Sequence, residues 1–267
     1  MKKVLLFLCI IGVAVMMTSC RRDNPYIEQK FVYISESRDV TPNITYGRAF
    51  IGFNTRLITS PQIQAGHITV GGQPISFEPG RFYLFTYIWE EANGRTSLGK
   101  NRGYADNVNI VIEHGILEVK PAFLDFNPAP PYIPEEYFVA FNGSPLFFHD
   151  ATSWGDNWIV GFDYMGGAEM PSVTFHKRAA SEDNTYSSDT EIDVRISGIQ
   201  QVPQPLRRGF PLALNMAELR EKLQEEVSQD VRIRFHYYVA TTEGQTQVIT
   251  PRATPWITWR LAGAAQQ

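Results

Sequence analysis

Phe82-Tyr83-Leu84-Phe85-Thr86-Tyr87-Ile88-Trp89 carries bulky apolar or aromatic side chains at both alternating positions, interrupted only by Thr86. A strand that is apolar on both faces belongs in the middle of a sheet, covered above and below. Breaks flank it at Pro79-Gly80 and Asn93-Gly94, the residue types that end strands. Working outward, the dominant period of the chain is two rather than 3.6. Phe31–Glu36, Ala49–Ile58, His67–Val70, Arg81–Glu90 and Val108–Val119 read as strands, separated by Gly71-Gly72, Pro79-Gly80, Asn93-Gly94 and Asn101 to Gly103. Five strands in about ninety residues point to a small barrel or sandwich.

The pattern changes at Lys120-Pro121, and Asn127-Pro128-Ala129-Pro130-Pro131 follows. Prolines so dense cannot donate to a ladder, so 122–134 reads as a stiff connector and a domain boundary. Beyond it come Tyr137–Phe141, Leu146–His149, Asn157–Tyr164, Ser172–His176, Glu191–Ser197, Val231–Thr241, Gln247–Thr250 and Trp256–Leu261. In Val231-Arg232-Ile233-Arg234-Phe235-His236-Tyr237-Tyr238-Val239 one face is apolar and the other basic or polar, as in a sandwich strand with one wet side. One helix is expected over Met216–Gln229. Asn215 is its N-cap, Glu218 stands three residues on, and Met216, Leu219, Leu223 and Val227 form the apolar stripe. So narrow a stripe packs on a sheet.

The start of the chain addresses it. Lys2 and Lys3 precede an uncharged apolar run, Val4 to Met17, followed by Thr18-Ser19-Cys20. Fourteen residues make a helix of about 21 Å, short of a bilayer core of about 30 Å. Residues 1–19 therefore read as a cleaved signal, and the small residues before Cys20 as a lipobox, with Cys20 the lipidated first residue of the mature chain. Residues 20–30 are then a tether, with no strand before about Phe31. Removing 19 of 267 residues leaves 248, enough for one large β domain or two ordinary ones. The signal holds two of the 24 basic residues and none of the 28 acidic ones, so the remainder carries a net charge of −6. A mildly acidic body without a basic run argues against nucleic acid as a partner. Cys9 and Cys20 are the only cysteines, so the body expects no disulfide, thiolate nucleophile or cysteine-based zinc site. Its 17 Phe, 12 Tyr and 5 Trp must supply the core.

Familiar catalytic patterns fail in turn. There is no G-x-S-x-G, H-E-x-x-H, Walker loop or G-x-G-x-x-G. His67, His114, His149, His176 and His236 never fall at ligand spacing. His149-Asp150, Glu90-Glu91 and Glu135-Glu136 are adjacent, and adjacent strand residues point to opposite faces. His149-Asp150 reads instead as a strand-end histidine followed by a turn aspartate. Asp183, Asp189, Glu191 and Asp193 lack the spacing and central glycine of a calcium loop, and 181–190 reads as a solvated hairpin loop. No catalytic residue, metal ligand or cofactor is expected. Aromatic side chains remain as ligand contacts. Trp158 opens an apolar strand and is expected in the core. Trp256 and Trp259 fall on opposite faces of a strand. Trp154, in Ser153-Trp154-Gly155-Asp156, is expected to be exposed, and with Tyr132 is the candidate ligand contact.

Gly80-Arg81-Phe82-Tyr83-Leu84-Phe85-Thr86-Tyr87 resembles the Gly-x-Arg-Val-Leu-Val-x-Tyr strand of the NigD-like lipoproteins of gut- and mouth-dwelling Gram-negative bacteria, without the spacer after the glycine. Ile112-Glu113-His114-Gly115-Ile116-Leu117-Glu118-Val119-Lys120-Pro121 is similar to the strand closing that family's N-terminal domain. Trp158 to Gly167, with Pro171 beyond, is similar to the pattern opening its C-terminal one. The resemblance covers most of the mature chain through the order of these motifs. It implies an all-β protein: an N-terminal OB-like five-stranded barrel over 31–121, then a C-terminal β-sandwich over 135–262 carrying the amphipathic helix, with 263–267 a tail. The helix is an addition to the family's usual short connection. It implies little about activity, since the family takes its name from a bacteriocin gene cluster and has no catalytic motif to carry over. Arg21-Arg22-Asp23-Asn24 departs from the acidic run that follows the cysteine in many surface lipoproteins of these bacteria, so periplasmic and surface faces both stay open.

The functional expectation is a non-enzymatic envelope protein, held by its lipid at the outer membrane and acting by binding a protein, peptide or glycan partner. Two alternatives belong to other classes: a hydrolase of glycan or cell-wall polymer whose carboxylates converge only in the fold, and a bacteriocin-immunity protein.

Overall fold

The computed structural model describes residues 25–52, 54–141, 145–179, 189–226, 230–243 and 246–261. The signal, Cys20, Asp183, Val227, Gln229 and the tail lie outside the described residues. The chain divides into two compact units, one reaching Ile51 and resuming over Arg56–Leu117, the other holding Gly52–Thr55 and everything from Glu118.

The first unit contains β1 (Tyr26–Ser37), β2 (Ile44–Ile51), β3 (Asn54–Thr59), helix α1 (Pro61–Ala65), β4 (His67–Val70), β5 (Gln73–Ser76), β6 (Phe82–Trp89), β7 (Arg95–Ser97) and β8 (Tyr104–Ile110). β1 pairs with β2, β2 with β3, β3 with β8 in parallel, β8 with β6, and β6 with β1. That circuit returns to its start, so five strands close into the expected OB-like barrel, and closure removes the sheet's edges. The central run Phe82–Trp89 is β6, hydrogen-bonded on both sides. Val32, Ile34, Ile58, Tyr83, Phe85, Tyr87 and Val108 fill the interior. α1 fills the link between β3 and β4: the Ser60 hydroxyl accepts from Ile63 N–H, Pro61 opens the first turn and Gly66 ends it in the left-handed region, the usual chemistry of both helix ends.

Several boundaries differ from the expectation. β1 begins at Tyr26, inside the expected tether, and Tyr26 faces Trp89 of β6. Its start is polar in Glu28, Gln29 and Lys30, but Glu28 is used inwardly, accepting from the Tyr87 hydroxyl at 2.7 Å. The expected strand Ala49–Ile58 is two strands broken at Gly52, and Val108–Val119 is interrupted by a 3-10 turn at Ile112–His114. β4 and β5 form a separate hairpin.

The second unit's strand β9 (Ile116–Asp125) is followed by β10 (Ala140–Phe141), α2 (Ala151–Trp154), β11 (Asn157–Gly166), β12 (Ser172–Lys177), β13 (Thr190–Ser197), β14 (Leu206–Asn215), α3 (Ala217–Glu226), β15 (Val231–Glu243), β16 (Thr246–Ala253) and β17 (Ile257–Trp259). One sheet runs β10–β11–β14–β9 and the other β16–β15–β13–β12–β9, with β17 also on β15. β9 pairs with β14 through Lys120–Phe123 and with β12 through Leu124–Asp125, passing from one sheet to the other. Pro121 thus lies within a strand, and the division between units falls earlier, at Leu117–Glu118. Between the sheets pack Trp158, Phe162, Phe175, Ile192, Val194, Leu214, Ile233, Phe235 and Trp259, with Met216, Leu219 and Leu223 of the helix stripe. The Asn215 side chain accepts from Ala217 N–H at 2.9 Å, the expected cap.

β14 was not expected, because Gly209 and Pro211 interrupt its pattern. Its pairing explains the glycine: a Cβ at Gly209 would come within 2.4 Å of Asp163 Oδ1, and Asp163 is held there by Arg207. Tyr137–Phe141 shrinks to a two-residue strand, and Leu146–His149 keeps only a bridge from Leu146 to Ile159.

Candidate functional site

Trp154 does not project from a loop. It is 0% exposed. Asp150 accepts from Thr152 and Ser153 N–H and starts α2, and that single turn folds the indole edge-on against Phe148, with ring centroids 5.0 Å apart. The polar neighbours that made the stretch look solvated are the cap and the turn. Trp158 is core, stacked on Phe147 at 4.1 Å and edge-on to Trp259 at 5.3 Å. His149 lies in a bend rather than at the expected strand end, and its Nδ1 accepts from Arg260 N–H at 3.0 Å, while Asp150 caps α2. Glu136 accepts from Gly198 N–H at 2.7 Å.

Tyr132 is half-buried, and one face of its ring is taken by Tyr238, with centroids 3.9 Å apart and planes 15° apart. The Arg195 guanidinium lies 5.3 Å from the Tyr238 ring and donates to Pro130 O. A cleft of about 420 Å³ is lined by Pro134, Glu135, Tyr137, Gln201 and Ile249.

Tyr238 belongs to a larger constellation on the outward face of the β12–β13–β15 sheet. Alternation along β13 sends Ile192, Val194 and Ile196 into the core and turns Glu191, Asp193 and Arg195 outward. β15 buries Val231, Ile233 and Phe235 and turns out Arg232, Arg234 and His236. The two strands are parallel, with Glu191 opposite Arg234 and Asp193 opposite His236. This register sets an acidic row against a basic one. Arg232 grips Asp189 with two bonds, of 2.8 and 2.5 Å. Arg234 donates to Glu191, and Arg178 from the end of β12 bridges Glu191 and Asp193 at 3.5 and 3.3 Å. Arg195 also reaches Asp193. Asp189, Glu191 and Asp193 are buried beneath these arginines. The guanidiniums of Arg232 and Arg234 lie 4.9 and 4.2 Å from the centre of the half-buried Trp256 ring, while Trp259, three residues on, points into the core.

Burial pushes the Glu191 carboxyl up, but the bond and the charge of Arg234, with His236 alongside, outweigh it and hold Glu191 below the usual carboxylate range. His236 is held low by burial and by Arg178. Arg178 approaches its Nδ1 at 3.3 Å, so Nδ1 is the acceptor and the ring proton belongs on Nε2, 3.2 Å from Glu191 Oε1. A general acid must keep its proton near neutrality. Glu191 does the reverse, and every outward carboxylate on β13 is matched by a guanidinium. Such a face can present arginine and aromatic surface to a partner. Among the described residues no group of three or more His, Cys, Asp or Glu could hold a metal ion.

Reasoning from sequence missed this pairing. The alternating acids from Asp189 to Asp193 and the alternating bases from Arg232 to His236 were the visible signal, but only the parallel register brings them face to face.

No family model and no curated protein matches the sequence. Solved structures do resemble the chain. It is similar to an uncharacterized protein from Parabacteroides merdae, 10% identical with a TM-score of 0.56, over 88% of this chain and 99% of that one. A putative lipoprotein from Bacteroides fragilis is 7% identical with a TM-score of 0.52, over 90% and 100%. The structural neighbours also include a NigD-like immunity protein from Bacteroides caccae, 10% identical with a TM-score of 0.43, over 85% and 92%. The first two likenesses establish a shared fold along nearly the whole length of each chain.

Proposed function

We propose that this chain is a lipid-anchored cell-envelope protein that acts by binding a partner rather than by catalysis. The lipobox at Cys20 supports the anchoring. The arginine-covered carboxylate row of β13, edged by Trp256 and the Tyr132–Tyr238 stack, carries the binding. Arginine and aromatic side chains supply most of the energy in protein recognition surfaces, and the carboxylates beneath hold the arginines in place. Glu191, held ionised by Arg234, suits an anchor for arginine better than a proton donor. The test is recovery of a partner from envelope extracts on the immobilised chain, compared with Trp256→Ala and Tyr132→Ala. The expected result is a partner held by the native chain and weakened at least tenfold by either substitution. Recovery of nothing above a lipid-only control ends this reading.

A further inference from the structure

The first unit carries a second, chemically different cavity. A cleft of about 340 Å³ is lined by Ser60, Pro61, Gln64, Asn93, Thr96, Asn107, Val108 and Asn109. Six of these side chains are amides or hydroxyls, and none is charged. The parallel pairing of β3 with β8 builds it: Thr59 faces Asn107, so the start of α1 at Ser60 lies beside β8. Alternation then places Asn107 and Asn109 together on one face of β8 while Val108 packs into the barrel.

The wall is fixed before any ligand arrives. The Thr96 hydroxyl donates to Asn107 Oδ1 at 2.7 Å, and Asn107 Nδ2 donates to Asn93 O at 2.9 Å. Asn107 N–H donates to Gly94 O at 3.1 Å, tying the 3-10 turn Glu91–Asn93 to β8. At the end of this chain Asn93 Nδ2 is buried with no hydrogen-bond partner among the described residues. A buried donor left unmade is costly, and Asn93 lines a cavity of the volume small ligands use.

We propose that this cleft binds a neutral, hydroxyl-rich carbohydrate. Side chains that both donate and accept match ligand groups that do the same, which describes sugar hydroxyls. A phosphate or carboxylate would require a cation in the wall, and an amine a carboxylate. Arg95 and Asp106, on the same pair of strands, neutralise each other at 2.8 Å. A peptide would need apolar subsites for its side chains, and only Pro61 and Val108 are apolar here. The Asn93 amide supplies the donor to a sugar oxygen, and Asn109 and Gln64, both exposed at the rim, close over neighbouring hydroxyls. The proposal does not rest on the charged face of the second unit.

The test is isothermal titration of the full chain, in a detergent without a sugar headgroup, with neutral tetrasaccharides of glucose, mannose and xylose. Galacturonate tetrasaccharide and a tetranucleotide serve as anionic probes. Millimolar or tighter binding of at least one neutral probe is expected, with the anionic probes at least tenfold weaker. Asn93→Leu removes the donor and fills the space, and should lower that affinity about tenfold or more. Asn109→Ala, at an exposed position that leaves folding intact, should weaken it severalfold. Failure of all the neutral probes at millimolar concentration overturns the proposal. So does equal binding of the anionic ones, or an affinity unmoved by Asn109→Ala.

Discussion

Removing the Arg220 guanidinium should unseat the second unit far more than removing it together with its partner. Arg220 on α3 is 6% exposed. It donates through Nε to Asp156 Oδ1 and through Nη2 to His149 O at 2.9 Å, and lies 4.4 Å from the centre of the Trp259 ring. Asp156 is equally enclosed, with a side chain 10% exposed, and its carbonyl accepts from Met216 N–H at 2.7 Å where the helix begins. Arg220→Met keeps the apolar stem but strands a buried carboxylate, which costs about 3–5 kcal/mol. For a unit of this size that is a fall of about 6–20 °C in melting temperature. Asp156→Leu combined with Arg220→Met removes both charges and should recover all but about 1 kcal/mol. Thermal melting followed by tryptophan emission suits the question, because Trp154, Trp158, Trp256 and Trp259 all lie in this unit. A melting temperature for Arg220→Met within a degree or two of the native value would refute the reasoning. So would a double variant as unstable as the two single losses added together.

Trp154→Ala should cost about 3–5 kcal/mol, as for a large core aromatic; a loss below about 0.5 kcal/mol in urea unfolding, the size of a surface change, would show the indole free in solution. Stability should fall in two steps as pH drops. His149 and His236 sit below their ordinary value of 6.5, so the unfolded chain takes up their protons first and the native state loses ground below about pH 6.5. Glu191 and Asp150 are held below 4.5 and 3.8, so their contribution, complete above those values, disappears as pH falls through the lower folded ones. His149→Gln with His236→Gln should erase the first step and keep the second, and a first step that survives them would disprove its assignment. Finally, Cys20→Ala should abolish uptake of labelled palmitate and release the chain from membranes; continued labelling would rule out Cys20 as the lipid site.

Much of the barrel was legible because its signals are local. The two-faced apolar run became β6, and the glycine pairs fell in turns. What escaped depends on contacts distant in sequence. The start of β1 looked like tether because Glu28 is polar, yet its carboxylate belongs to Tyr87, far along the chain. β14 was hidden by Gly209 and Pro211, and the need for that glycine comes from Asp163 on a neighbouring strand. Trp154 was misplaced for a local reason instead: Ser153, Gly155 and Asp156 look like solvent, but a one-turn helix capped by Asp150 turns the indole inward. The recognition face was half visible as two alternating patterns, and register joined them.

The path of β9 bears on the order in which the chain can acquire its structure. The barrel's last ring strand, β8, ends at Ile110, so its pairings are complete early during N-to-C synthesis. β9 comes next, but its two parallel partners, β12 and β14, arrive only at Ser172–Lys177 and Leu206–Asn215. Ala122 and Leu124, buried in the finished sandwich, must wait about fifty residues for the first of these partners and about eighty for the second. Parallel pairings between distant segments form slowly, and an apolar strand with open edges is where misassembly starts. Pro121, which cannot donate to an intruding neighbour, stands in the middle of that interval as a guard against pairing with the wrong chain.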